Sequence, residues 1–197
     1  MRYDKQHKTA IRQRILDMAT LRFRSEGIAA VGIANLMADL GLTHGGFYWH
    51  FKDKEDLVAQ ACQQAMQSID QQWQQQMQLA APGGKRLSVA QHYLSIQHRD
   101  FPDTGCVAAA LAGELCRHTP ATREAFTASL QQQLATLDSA ARQDGSPSET
   151  ALTPGTQLSL MVGAMLLARA VTDPVLSSQL LAEAEALVAH HSGSAPD

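Results

Sequence analysis

Cysteine is scarce in this chain: Cys62, Cys106 and Cys116 are the three among 197 residues. Their odd number and irregular spacing argue against a disulfide framework, and reduced thiols fit better. Long apolar runs are missing too; none approaches the ~18 uninterrupted residues of a membrane span. The N-terminal stretch MRYDKQHKTAIRQR is basic but lacks the apolar segment of a secretory signal. Together these absences predict a soluble, cytoplasmic protein with no membrane partner. Cys116 and His118 complete no metal-ligand spacing, so neither a metal nor a cofactor is expected. No phosphate loop occurs, and no nucleophile, base and acid fall at a recognisable spacing. A thiol-dependent hydrolase using Cys106 is therefore a weak alternative. A helical scaffold that binds a protein partner is another.

Charge is low overall but uneven. Charged residues make up 18% of the chain and the net charge is −3. From Met1 to Ser25 there are seven basic residues against two acids; from Ala61 onward there are seven against twelve. A positive end on an acidic body suits a polyanion at one end and a different task elsewhere. A solvated helix face that happens to be basic is the bland alternative.

Strand-like alternation is nearly absent and helical spacing recurs instead. Ile11, Ile15, Ala19 and Phe23 step by four. So do Leu57, Ala61, Ala65, Ile69, Trp73 and Met77, set among glutamines that form an uncharged polar face. Thr119-Pro120, Thr153-Pro154 and Asp173-Pro174 share one start signal, a capping side chain followed by a preset φ. The pattern predicts an all-α protein of about nine helices, near residues 8–26, 33–40, 44–50, 54–79, 86–100, 105–117, 120–143, 154–171 and 174–190. Residues 1–53 would form one domain, 54–190 a second, and 191–197 a flexible tail.

The most specific signal lies between Ile33 and Phe51. Ile33, Leu36 and Met37 give a short helix one apolar face. Gly41 follows where the chain must turn sharply, and Thr43 is placed to cap the next short helix. That is the helix–tight turn–helix pattern whose second helix can enter a major groove. Gly45 and Gly46 fall in its first turn, where free amides and a positive dipole suit phosphate and bare backbone permits close approach. Phe47 and Phe51, four apart, point to the core. Tyr48 keeps a hydroxyl for phosphate, His50 a ring N–H, and Trp49 points away toward bases or sugar. Asp53 and Asp56 read as a reciprocal cap. Lys54 then sits where a cation is unfavourable unless a phosphate lies near.

Residues ~8–60 resemble the DNA-binding domain of TetR/AcrR-type transcriptional regulators. The resemblance is carried by RILDMATLRFRSEGIAAVGIANLMADLGLTHGGFYWHFKDKEDL, above all by Gly41-Leu42-Thr43, Gly46-Phe47-Tyr48, His50-Phe51 and Lys54 with Asp56-Leu57. It implies an N-terminal three-helix helix-turn-helix domain joined to a C-terminal helical domain for ligand binding and dimerisation. It also implies a homodimer on double-stranded palindromic operator DNA, usually a repressor, released by a small-molecule effector. By similarity, Thr43, Tyr48, His50 and Lys54 would contact phosphate, while His44, Gly45 and Trp49 would face bases. Two departures stand out. Gly32 replaces the Ser or Thr that usually caps the first helix of the motif, removing one contact, and Leu40 replaces the common alanine.

Beyond residue 60 the sequence says less. Leu158, Met161 and Met165 on one late helix, with Leu176, Leu180 and Leu187 on the next, would form a four-helix interface with a symmetry mate. A ligand cavity among the central helices would draw on Met66, Trp73, Met77, Tyr93, Phe126 and Met161, whose methionines and aromatics suit an adaptable pocket. Cys106 follows Gly105 at an expected helix start, where amides can lower a thiol pKa. A buried small-residue role for Cys106 is the alternative to an electrophile or oxidant sensor. Ligand binding in the C-terminal core would tilt the helix beginning near Lys54 and change the spacing of two recognition helices that sit ~34–36 Å apart on DNA.

Overall fold

The computed structural model describes residues 2–145 and 152–192. The described residues hold nine α-helices and no strand: α1 (Arg2–Glu26), α2 (Ile33–Asp39), α3 (Lys54–Leu79), α4 (Lys85–Tyr93), α5 (Ile96–Asp100), α6 (Val107–Leu115), α7 (Pro120–Gln143), α8 (Pro154–Ala170) and α9 (Pro174–His191). Short 3₁₀ helices lie at His44–Trp49 and Pro102–Thr104. The all-α expectation is met. No described helix is long and apolar enough to cross a membrane.

Caps explain most boundaries. Asp53 accepts from the Asp56 amide at the start of α3, and Thr119, Thr153 and Asp173 each accept from first-turn amides ahead of a proline. The Asp56 carboxylate reaches back to the Lys52 amide at 3.0 Å, one residue beyond the reciprocal partner expected. Gly27, at φ +87, ends α1. A side chain there would also strike the Glu114 carboxylate, 2.7 Å from the Cβ position.

Four elements differ from the sequence reading. The helix α1 starts at Arg2, six residues before the expected position. The recognition element is a single 3₁₀ segment of six residues, tighter than an α-helix. The helix expected over 86–100 is broken at Leu94, where Ser95 caps α5 by accepting from the His98 amide at 3.1 Å. At the far end α9 runs on through His191, and Ser192 is buried with its hydroxyl donating to the Val188 carbonyl. The rest of the expected tail, 193–197, lies outside the described residues.

Two hydrophobic clusters organise the chain. One gathers α1, α2, the His44–Trp49 turn, the first half of α3 and part of α6. The other gathers the second half of α3 with α4 and α7 to α9. Phe126 and Leu130 of α7 pack against both.

The first helix of the turn motif has no side-chain cap at Gly32, whose backbone is extended (φ −84) with open space at the Cβ position. Gly32→Ser should therefore raise stability by roughly 0.5–1 kcal/mol, combining a new cap with a less flexible unfolded chain. Thermal unfolding of the two proteins checks this; an unchanged or lower midpoint would refute it.

Candidate nucleic-acid interface

The turn motif is built on two phenylalanines. Phe47 and Phe51 are almost fully buried and stack with centroids 5.5 Å apart. Each contributes about 1.5–3 kcal/mol of burial, enough to fix a segment too short to hold itself. Gly41, at φ +69, makes the sharp entry. The Thr43 hydroxyl accepts from the Gly46 amide at 3.3 Å and starts the 3₁₀ turn.

With Phe47 and Phe51 held inside, their neighbours are thrown outward. Tyr48 is 58% exposed and Trp49 75% exposed, a large solvated surface for aromatic rings. Tyr48 packs edge-on against His44 and Phe47, which orients its ring without consuming the hydroxyl. Thr43, His44 and Gly45 are exposed and Gly46 half-buried. Seven of the eight expected residues thus lie along one short segment, Thr43 to His50, five of them exposed and Gly46 and His50 half-buried.

Lys54 departs from the expectation. Its ammonium donates to the Ile28 carbonyl at 2.6 Å, tying α3 to the α1–α2 loop, so it is not a free cation awaiting a phosphate. Two of its three N–H groups remain.

Sequence reasoning missed the cations that surround this surface. Arg12 lies over the Phe51 ring at 4.9 Å, a cation–π contact, and also bonds Gln60. Lys8 and Arg12, four apart on α1, face His50; burial first, then these two charges, lower the His50 pKa. Its Nδ1 is buried without a partner. Lys52 is exposed beside them. The signal was available in the basic N-terminal segment and its spacing of four.

The turn motif is fastened to the rest of the chain at three points around α6. Arg24 donates to the Gly105 carbonyl at 2.7 Å. The Glu114 carboxylate accepts from the Ile28 and Ala29 amides at 3.0 and 3.1 Å. Glu55, at the start of α3, accepts from Thr122 at 2.7 Å and pairs with His118 at 2.8 Å.

The expected ligand residues scatter. Trp73 and Tyr93 share a cavity of about 210 Å³ between α3, α4 and α5. Met77 and Met66 instead line two open grooves between α3 and α7. Cys106 and Met161 are fully buried core residues, and Phe126 bridges the two clusters. The interface expectation needs correction. Leu158, Met161 and Met165 point into the monomer core, at 5%, 0% and 0% exposure, because α8 buries that face against its own neighbours. The outward apolar residues of α8 are Leu166 and Leu167; those of α9 are Val175, Leu176 and Leu187, with Leu180 half-buried.

Residues 15–61 match the family of bacterial regulatory proteins, tetR family. The HTH-type transcriptional regulator AcrR of Shigella flexneri is 39% identical over 59 residues, 30% of this chain and 27% of that protein. The chain thus aligns with about a quarter of that relative's length. Among solved structures, SCO4454, a TetR-family transcriptional regulator from Streptomyces coelicolor, matches with a TM-score of 0.71 and 26% identity, covering 92% of this chain and 89% of that one. The reduced form of NemR from E. coli shares the fold at a TM-score of 0.76 and 20% identity, covering 91% and 96%.

An anion seated against His50 would offset the Lys8 and Arg12 charges and raise the lowered imidazole pKa. Polyanion binding should then be strongest below the free-state pKa of His50 and weaken as pH rises through the higher bound-state value. The His50 ring resonances, titrated by NMR with and without a short DNA duplex, check this; an unmoved titration would refute it.

Proposed function

We propose that this chain, whose residues 15–61 match the tetR family of bacterial regulatory proteins, is a ligand-responsive transcriptional regulator. It binds a palindromic operator as a cytoplasmic homodimer and acts as a repressor released by a small molecule or electrophile. The observation that carries this reading is the exposed Tyr48–Trp49 edge on a turn locked from beneath by Phe47 and Phe51.

Each part then has a task. The Thr43 and Tyr48 hydroxyls and the His50 ring reach phosphates, while His44, Gly45 and Trp49 face base edges. Phosphate contacts set register and base contacts set sequence. Lys54 serves first as a brace through Ile28 and adds its remaining donors to a phosphate. Lys8, Arg12 and Lys52 supply the surrounding positive field.

Dimerisation falls to the outward faces of α8 and α9, where Leu166, Leu167, Leu176 and Leu187 are each 41–50% exposed. Two copies related by a two-fold axis would cover these faces as a four-helix bundle. That places the two recognition turns on successive major grooves, ~34–36 Å apart. The three ties around α6 carry the response, since a shift of α6 moves Gly105, Glu114 and the His118–Thr122 segment together. The effector needs a differential affinity for the two arrangements of a few kcal/mol.

Operators selected from a random pool supply the test. Tyr48→Phe combined with Lys54→Ala should weaken binding to every selected sequence and lower the log–log salt slope by about one unit. Binding that is unchanged would defeat the site assignment. Leu176→Arg with Leu187→Arg should yield a monomer in sedimentation and abolish operator binding; a persistent dimer would place the interface elsewhere.

A further inference from the structure

The loop between α1 and α2 is held from two sides by opposite charges. On one side the Glu114 carboxylate of α6 accepts from the Ile28 and Ala29 amides at 3.0 and 3.1 Å, both through Oε2. On the other the Lys54 ammonium, at the start of α3, donates to the Ile28 carbonyl at 2.6 Å. The Ile28 carbonyl and the Ala29 N–H belong to one peptide unit. In a trans peptide they point in opposite directions. A cation therefore meets the oxygen of that amide while an anion meets its hydrogen. Both charges polarise the amide in the same sense, so each bond strengthens the other.

Among the described residues neither Lys54 nor Glu114 enters an ion pair of its own. Both are half-buried, so the shared peptide is what answers each charge. Packing keeps the carboxylate in place. Leu111 and Leu115, on either side of Glu114 along α6, are buried in the same cluster as Ile28. A Cβ on Gly27 would lie 2.7 Å from the Glu114 Oε1, so the loop closes tightly over it.

We propose that Glu114 is a positioning residue for DNA binding: through the Ile28–Ala29 peptide it holds the Lys54 ammonium ready for a backbone phosphate. The assignment rests on the DNA-binding reading above and adds to it a residue far from the turn in sequence. A lysine free in solvent must be ordered when it grips a phosphate, whereas one already held by a carbonyl has lost that freedom beforehand. The relay therefore raises affinity although Glu114 is itself an anion. Its bare charge would repel a polyanion. The two effects have opposite signs: repulsion alone makes a neutral residue at this position tighten binding, and the relay makes it loosen binding. Because α6 carries the carboxylate, a displacement of α6 that lengthens the Ala29 bond also slackens the hold on Lys54.

Operator affinity of the full-length protein, with a duplex selected from a random pool, tests this. Glu114→Gln keeps an accepting oxygen but loses the charge. It should weaken binding at least about fivefold and lower the log–log salt slope by about one unit, the loss expected of one phosphate contact. Glu124→Gln, which neutralises an exposed acid of α7, should not weaken binding. In a Lys54→Ala background Glu114→Gln should cause no further weakening. A second measurement needs neither DNA nor a change at Glu114. In Lys54→Met the Ala29 amide proton should move upfield by NMR, and further than that of Ile28, whose N–H lies in the preceding peptide. Unchanged or tighter binding by Glu114→Gln, equal weakening with and without Lys54, an equal effect of Glu124→Gln, or an Ala29 resonance that moves no more than that of Ile28 would each overturn the proposal. Where the unaltered protein binds the operator, any of these failures leaves the DNA-binding reading standing and removes only the role of Glu114. An unaltered protein that binds no operator would remove both.

Discussion

The long helix α3 carries the largest share of both hydrophobic clusters, and the architecture follows from that. The first half of α3 buries Leu57, Val58, Ala61, Cys62, Ala65 and Met66 with the turn motif, and its second half buries Ile69, Trp73 and Met77 with the C-terminal helices. With 26 residues it is about 39 Å long at ~1.5 Å per residue. No glycine or proline interrupts it, so it has no built-in kink. Bending it would break hydrogen bonds at a buried position. Trp73 and Leu57 therefore sit on one unbroken helix, each held in a different cluster.

The second connection, through α6, differs in kind. It adds directional polar contacts to shared packing, in which Val107, Leu111 and Leu115 join one cluster and Ala108 and Ala109 the other. Arg24 grips the chain just before α6 and Glu114 holds two backbone amides near its end. Burial lowers the Arg24 pKa from its usual value, a sign that this guanidinium has traded water for the Thr20 and Gly105 carbonyls. Leaving a buried charge without such acceptors is costly. Arg24 therefore resists small displacements of Gly105 and transmits larger ones. The long helix and the polar ties thus join the same two clusters side by side.

Much of this was legible in the sequence, for local reasons. The α3 and α7 boundaries could be read to the residue because Asp53 and Thr119-Pro120 act on amides one turn away. The exposure of Tyr48 and Trp49 followed from the spacing of Phe47 and Phe51. What was not legible depended on distant partners or on ambiguous faces. Lys54 is occupied by a carbonyl 26 positions earlier. The α8 helix has apolar residues on every side (Leu158, Leu160, Met161, Val162, Met165, Leu166, Leu167), so periodicity could not tell the inner face from the outer. The break at Leu94–Ser95 was overridden by a continuous helical pattern, and with it went the cavity, whose far wall is made of Ser95, Gln97 and His98.

The 3₁₀ geometry of His44–Trp49 bears on how such a protein diversifies. A six-residue turn of this kind has no ladder long enough to persist alone; its shape is lent by Phe47 and Phe51. Excised as a peptide, it would lose that shape. Yet His44, Gly45 and Trp49 face solvent and contribute little to folding, so exchanges there are nearly free of stability cost. Selection can thus exchange the turn's exposed side chains while leaving its buried foundation untouched.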